Sequence, residues 1–507
     1  MSAYANLPSG IRSFTGRNNM ANNRTQTLLK GISIQTLITL VMGVIEVVYF
    51  AIMSRLLTKS DFGYFAVISG VMAICMSLSE AGLGSAIIQK KDASKSYIST
   101  TFTLSLILGS IFFFAVFFLS PYISYVVADN TVVIPLKLTS VTILLNSIIS
   151  VGNAVLYKKL DFKRVGLNSV VAYLCSSIIA IVMAYYGYGL FAIVTANILN
   201  SLFLVILLYG FSIRIPKIKI YKAEINGIVS FGGWLTLGVV LNNFSHQLDK
   251  LVLTKWLSVE ALGAYNRPAG FISTISTKIN GIFDAVLFPM LSDLQDNREK
   301  VREVFLDAIS LLNGFSIILA AIFFFNAHLI ICIFFGEQWL DMVPIMQIVS
   351  IGIIFNIDGR LVDCFFRSLA YVRLGAILRG LSVIITLCAL YIGSRYGLYG
   401  VAVSIVVANV INIFVKIFCL SYKTNVQICD ILKRMLIAWR PIIPILVVGT
   451  PYLIMNNHTW LLDLCFASMF AIIIGIEFVV YPNFVGSVYT YRVYPMIAKM
   501  KYKLFKR

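Results

Sequence analysis

Long apolar runs alternate with short polar connections from residue 32 to residue 482. A run of about twenty apolar residues is the length that lets a helix cross the hydrocarbon layer. The pattern predicts about fourteen transmembrane helices, at 32–56, 62–88, 98–119, 133–157, 165–186, 188–211, 227–256, 260–291, 303–325, 341–368, 374–393, 396–421, 436–456 and 459–482. The expected fold class is an all-α polytopic membrane protein. Outside the spans lie a polar N-terminal tail (1–31), a basic linker (212–226) and a basic tail (483–507). No apolar core stands near enough to the start to read as a cleaved secretory signal.

Polar residues inside the spans carry the candidate chemistry. Between Asn242 and Leu291, two predicted spans hold Asn242, His246 and Asp249 at i, i+4 and i+7, with Asn243, Gln247 and Lys250 one step round the helix. Arg267, Thr274 and Lys278 form a second ribbon at i, i+7 and i+11. An ionised group at mid-bilayer costs roughly 2.5–3.5 kcal/mol on insertion scales, so such ribbons face a bundle interior or a watery cavity. The expectation is a cavity for a large, polar, anionic cargo, touched by Arg267, Lys250, Lys278, Asn242, Asn243, His246 and Gln247. Arg267 leads that set, because it precedes Pro268 and because a guanidinium binds phosphate in a fork that lysine cannot reproduce. Internal salt bridges are the competing role for these cations, with Asp249, Glu46, Glu80 and Asp284 as partners. Glu46, Glu80 and Asp249 are the candidate ion-coupling sites. In the tenth span, Asn356, Arg360, Asp363 and Arg367 stand at i, i+4, i+7 and i+11, which predicts an ion ladder of Arg360 with Asp363 and Asp363 with Arg367. The segment from His328 to Trp339 is too short to span and reads as an interfacial helix with Trp339 as its aromatic anchor.

Three local matches recur in the same order. Leu57-Thr-Lys-Ser-Asp-Phe-Gly-Tyr-Phe65 answers Leu257-Ser-Val-Glu-Ala-Leu-Gly-Ala-Tyr265, and Tyr157–Gly166 answers Phe366–Gly375. Later, Ala196-Asn-Ile-Leu-Asn200 answers Ala408-Asn-Val-Ile-Asn412. Together they predict a duplicated six-helix unit, an N-lobe over 32–211 and a C-lobe over 227–421, with the last two spans (436–482) outside the duplication. Six is even, so both copies start on one side and the repeats are parallel.

Composition fits this picture: 59% of the 507 residues are hydrophobic and 12% charged. The net charge of +19 does not point to nucleic acid, because most Lys and Arg residues fall in alternate connections, as the positive-inside rule requires. Arg55, Lys59, Lys255 and Arg395 are the few in outer connections, and both termini are expected in the cytoplasm. Eight scattered cysteines without a Cys-x-x-Cys pair, and three dispersed histidines, predict neither a disulfide framework nor a metal site, and no cofactor is expected.

Several stretches resemble a known family. Glu80-Ala-Gly-Leu-Gly-Ser-Ala-Ile-Ile-Gln-Lys-Lys91, Leu160-Asp-Phe-Lys-Arg164, Asp249-Lys250, Leu262-Gly-Ala-Tyr-Asn-Arg-Pro268, Pro289-Met-Leu-Ser-Asp-Leu-Gln295 and Phe335-Gly-Glu-Gln-Trp339 are similar to the Wzx-type oligosaccharidyl-lipid flippases. These belong to the multidrug/oligosaccharidyl-lipid/polysaccharide exporter superfamily, and the likeness is to the colanic-acid and teichuronic-acid branch. The resemblance implies two lobes of six helices, a cavity lined by spans one, two, seven and eight, and an undecaprenyl-diphosphate-linked oligosaccharide as cargo. It also implies the bacterial inner membrane as the location, with membrane lipids, a polysaccharide polymerase and chain-length machinery as candidate partners.

Two other readings compete. An ion-coupled multidrug exporter of the same superfamily would share the helices and lobes. A facilitator-type carrier would carry Gly-x-x-x-Asp-x-x-Gly-Arg between spans two and three, where this chain has Lys90-Lys-Asp-Ala-Ser-Lys95. A polytopic glycosyltransferase or polymerase needs large outer loops with catalytic groups, whereas most outer connections here are a few residues long. The chain is therefore expected to be a transporter and not an enzyme.

Overall fold

The computed structural model describes residues 37–90, 92–127, 129–225, 227–228, 247, 256, 258–293, 297–369, 371–424, 426–440, 442–454, 462–463, 465–470 and 472. Its regular elements are helical: α1 (Leu37–Leu56), α2 (Lys59–Glu80), α3 (Leu83–Gln89), α4 (Lys95–Val127), α5 (Val133–Lys158), α6 (Phe162–Tyr185) and α7 (Leu190–Leu207) in the first half. The second half holds α8 (Val259–Asp293), α9 (Arg298–Phe325), α10 (Ala327–Phe334), α11 (Val343–Ser368), α12 (Val372–Ser394), α13 (Gly397–Thr424), α14 (Ile428–Ala438) and α15 (Ile442–Ile454). Among the described residues, ten helices are long and apolar enough to cross a membrane. The chain is an all-α polytopic membrane protein. Helix α8 has the length of a span but is not counted among the ten, and α15 is apolar but short.

Two compact units emerge from the packing. The first holds α1, the later part of α2 and α3–α7; the second holds residues 57–67 with α8 and everything after it. In the first unit, α5 is central and packs on α3, α4 and α7, while α6 runs along α7. In the second, α11 is central, against α8, α9 and α13. The matched stretches occupy corresponding places: Tyr157–Gly166 joins α5 to α6, Phe366–Gly375 joins α11 to α12, and the two Ala-Asn-x-x-Asn stretches lie on α7 and α13.

Local sequence explains the element ends. Thr58 caps α2, its Oγ1 accepting from the Asp61 N–H while its own N–H and hydroxyl donate to the Asp61 carboxylate, a reciprocal capping box. Asp161 caps α6 through the Arg164 N–H, and Asn297 caps α9 through the Lys300 N–H.

Three expectations change. The second span is not one helix: Ala81 and Gly82, with φ of 43° and 61°, break it into α2 and α3. Residues 436–440 do not begin a membrane helix; they close α14, an amphipathic helix whose Ile431, Met435 and Ala438 are buried. Trp339 is not an interfacial anchor. Gly336 takes φ 94°, the Trp339 N–H folds back on the Gly336 carbonyl, and the indole is 0% exposed between Phe62 and Phe335. A left-handed φ is cheap only for glycine, which accounts for the Phe-Gly-x-x-Trp pattern.

Candidate functional site

The beginnings of α2 and α8 meet within the second unit, at the residues where their sequences match. A Cβ built on Gly63 would stand 1.9 Å from the Val259 carbonyl oxygen, and one on Gly263 would stand 1.9 Å from that of Lys59. Only a glycine at both positions permits this backbone-to-backbone crossing. Around it, Lys59 pairs with Asp341 at 2.5 Å and lies 5.9 Å from the Trp339 ring, while Gln338 donates to the Leu57 carbonyl.

One turn beyond the crossing, Arg267 lays its guanidinium 3.8 Å from the centroid of Phe62. Phe62 is 5% exposed and tilts against Trp339, so the cation rests on a buried aromatic stack. Such a contact is worth about 0.5–2 kcal/mol, rising with desolvation. Helix α8 runs unbroken through Pro268. Past it, Ser273, Thr274, Thr277 and Gly281 are exposed and Gly270 and Lys278 half-buried, which makes a polar flank beginning at Arg267. Exposed hydroxyls on a membrane-embedded helix belong against water rather than lipid. Asn280, 6% exposed, adds a buried amide whose Nδ2 finds no acceptor among the described residues.

Helix α11 completes this wall. Arg360 Nη2 donates to Thr277 Oγ1 at 3.4 Å, which brings a third cation beside Lys278. Asp363 does not serve only its own helix: Lys416 of α13 reaches it at 2.9 Å, with side-chain exposures of 12% and 21%. Arg367 is exposed at the end of α11. The ladder expected along α11 thus has its carboxylate tied across to α13. Sequence reasoning missed a further acid, Asp358, which is 0% exposed. Asn313 of α9 donates to its Oδ2, Trp439 donates to Asn313 Oδ1 at 2.9 Å, and Asp358 Oδ1 has no partner among the described residues. The signal was present as an acid in a span, but it lies outside the charged stripe 356–360–363–367.

The remaining predicted residues fall elsewhere. Glu46 is half-buried on α1, where Tyr49 meets Tyr173 edge to face. Glu80 ends α2 and is exposed, eighteen residues and so about 27 Å of helix beyond Phe62. Gln247 is half-buried, its Oε1 without a described donor. Asn242, Asn243, His246, Asp249 and Lys250 lie outside the described residues, so the first polar ribbon has no geometry here, and the same holds for the Asp284 side chain.

A helical membrane chain with a cationic, hydroxylated flank in one unit has a shape that can be compared with known proteins. Residues 52–344 match the model of a family described as polysaccharide biosynthesis protein. This chain belongs to that family. The lipopolysaccharide biosynthesis protein WzxC of Escherichia coli (strain K12) is 24% identical over 391 residues, covering 76% of this chain and 78% of WzxC. The teichuronic acid biosynthesis protein TuaB of Bacillus subtilis (strain 168) is 24% identical over 332 residues, covering 64% of this chain and 68% of TuaB. Among solved structures, the lipid II flippase MurJ in an inward closed conformation superposes with a TM-score of 0.68 at 16% identity, over 88% of this chain and 98% of MurJ. An inward-facing multidrug resistance transporter of the MATE family gives 0.63 at 17% identity, over 77% and 94% of the two chains. At these identities the structural likeness shows the shared fold. The polysaccharide biosynthesis family match includes α2, the α2–α8 crossing, Arg267 and the Trp339 turn.

Proposed function

We propose that this member of the polysaccharide biosynthesis family moves undecaprenyl-diphosphate-linked oligosaccharide units from the inner to the outer leaflet of the bacterial cytoplasmic membrane, by alternating access, for exopolysaccharide, capsule or O-antigen assembly. The observation that carries this reading is the flank of α8, where Arg267, Lys278 and the neighbouring Arg360 stand with exposed Thr274 and Thr277 in a chain with ten apolar membrane-length helices among its described residues. Sugar hydroxyls left without partners in hydrocarbon cost several kcal/mol each, so such a cargo needs a hydrated, hydrogen-bonding wall. A diphosphate needs cations, for which a guanidinium offers paired donors. The polyprenyl tail needs only lipid. The reaction forms and breaks no covalent bond, so the protein acts as a transporter and needs no catalytic residue.

The relatives support the cargo class by their names: lipopolysaccharide, teichuronic acid and, in Rhizobium meliloti (strain 1021), the succinoglycan biosynthesis transport protein ExoT, 21% identical over 333 residues. In the proposed topology, residues 32–211 and 227–421 form two parallel six-helix lobes, both termini lie in the cytoplasm, and the 212–226 linker lies on the inner face. The MATE-like fold favours a second reading, export of a small molecule by the same frame. Deletion of the gene separates the two. The expected result is lost surface polysaccharide and lipid-linked oligosaccharide held on the inner leaflet, both reversed by the cloned gene. Unchanged polysaccharide together with drug sensitivity would establish the exporter instead.

A further inference from the structure

After α7 and a single wide turn (Leu208–Ser212), the chain leaves the helix at Ile213 with extended backbone, φ −144° and ψ 158°, and residues 213–221 are not helical. They are sewn to the start of α4 along one edge: Ser99 Oγ donates to the Lys217 carbonyl at 2.5 Å, Thr103 Oγ1 to the Lys219 carbonyl at 3.4 Å, and the Tyr221 N–H donates to Thr100 Oγ1 at 3.0 Å. Bonds at every second residue fix the strand's edge, so its side chains alternate between the two perpendicular faces. Lys217 and Lys219 share one face, with Lys219 Nζ 5.1 Å from the Tyr221 ring, and Ile218 and Ile220 share the other. All four are exposed, Ile218 at 69% and Ile220 at 40%. By the same alternation Arg214 falls on the isoleucine side and exposed Ile215 on the lysine side, so the two-faced segment is Lys217–Tyr221, with Lys222 just past its end; none of these four cations makes an ion pair with a described residue. Glu224, the nearby acid, accepts instead from Ser94 and Ser96.

The depth of this strip follows from the helix that holds it. Helix α4 has 33 residues and is about 50 Å long, against about 30 Å of hydrocarbon, and its start, with Lys95, Ser96, Ser99, Thr100 and Thr101, is the more polar end, which suits the head-group layer. A strand fixed there, isoleucines on one face and lysines on the other, matches the boundary between acyl chains and phosphates.

We propose that residues 217–221 form a built-in docking strip for anionic glycerophospholipid head groups, the lysine face binding the phosphodiesters while Ile218 and Ile220 enter the acyl boundary. The proposal goes beyond the transport reading and rests on it only for the inner-leaflet placement. The test uses the full-length protein, delipidated in detergent and offered phosphatidylglycerol and phosphatidylcholine at equal concentration, with retained lipid counted by native mass spectrometry. Wild type is expected to prefer phosphatidylglycerol. Lys217→Gln with Lys219→Gln should lower that preference about tenfold, while the charge-matched Lys159→Gln with Lys163→Gln should leave it unchanged. Ser99→Ala with Thr103→Val should lower it with every cation in place, because the strand is released. Equal loss in the charge-matched control, no loss in the lysine variant, or displacement of phosphatidylglycerol by an equimolar polyprenyl diphosphate would overturn the proposal. Transport does not enter the readout, so an error in the cargo assignment leaves this result standing and the converse holds as well.

Discussion

Arg267 holds its guanidinium over the Phe62 ring, and a guanidinium presents several N–H donors in one plane, matched to phosphate oxygens. Arg267→Ala should therefore abolish polysaccharide export at normal membrane abundance, and Arg267→Lys should restore it only in part. Loss of one charge-assisted contact costs on the order of 1.5–3 kcal/mol, more than tenfold in cargo affinity. Full export by Arg267→Lys would mean that only the charge, and not the fork of donors, is needed. Asp363 and Lys416 answer a different question. Breaking a mostly buried pair by Lys416→Met leaves a carboxylate uncompensated and should cost about 2–4 kcal/mol in thermal unfolding, whereas Lys416→Met with Asp363→Leu should recover most of it. Helical spacing revealed Arg267, Thr274 and Lys278 as one flank, because i, i+7 and i+11 are fixed by backbone geometry alone. It could not reveal Lys416 on Asp363 or Asn313 on Asp358, since each of those contacts joins two helices far apart in sequence.

Among the elements, the crossing of α2 and α8 leaves no room for a methyl group at Gly63 or Gly263. Gly263→Ala should force the two helix starts apart, costing at least the 1–3 kcal/mol typical of overpacking. Disulfide formation between cysteines placed at Ser60 and Glu260 reports the separation: efficient crosslinking in the otherwise native chain, slowed severalfold by Gly263→Ala. Unchanged crosslinking and stability would mean that the crossing is looser than 1.9 Å demands. The presence and order of the described apolar helices were legible because lipid imposes a simple rule on composition. The break at Ala81–Gly82 and the burial of Trp339 were not. A tryptophan near the end of a span has the same local sequence whether it meets head groups or Phe62 and Phe335, and only the turn at Gly336 decides between them.

For the whole molecule, the proposed fourteen spans and the Lys/Arg asymmetry predict both termini on the cytoplasmic side. A reporter fused after Arg507 should be active only as a cytoplasmic enzyme, and one inserted at Asn456 only as a periplasmic enzyme; the reverse pattern at Arg507 would reject the count. The family match over residues 52–344 agrees with the resemblance carried by short motifs between Glu80 and Trp339.

The meeting of Gly63 with Gly263 also binds two distant positions to a common history. A side chain gained at either one collides with the backbone of the other helix, so neither can drift while its counterpart stays small. Across relatives, the two columns should therefore hold small residues together, and a lineage that enlarges one should show a compensating change two hundred residues away rather than next door.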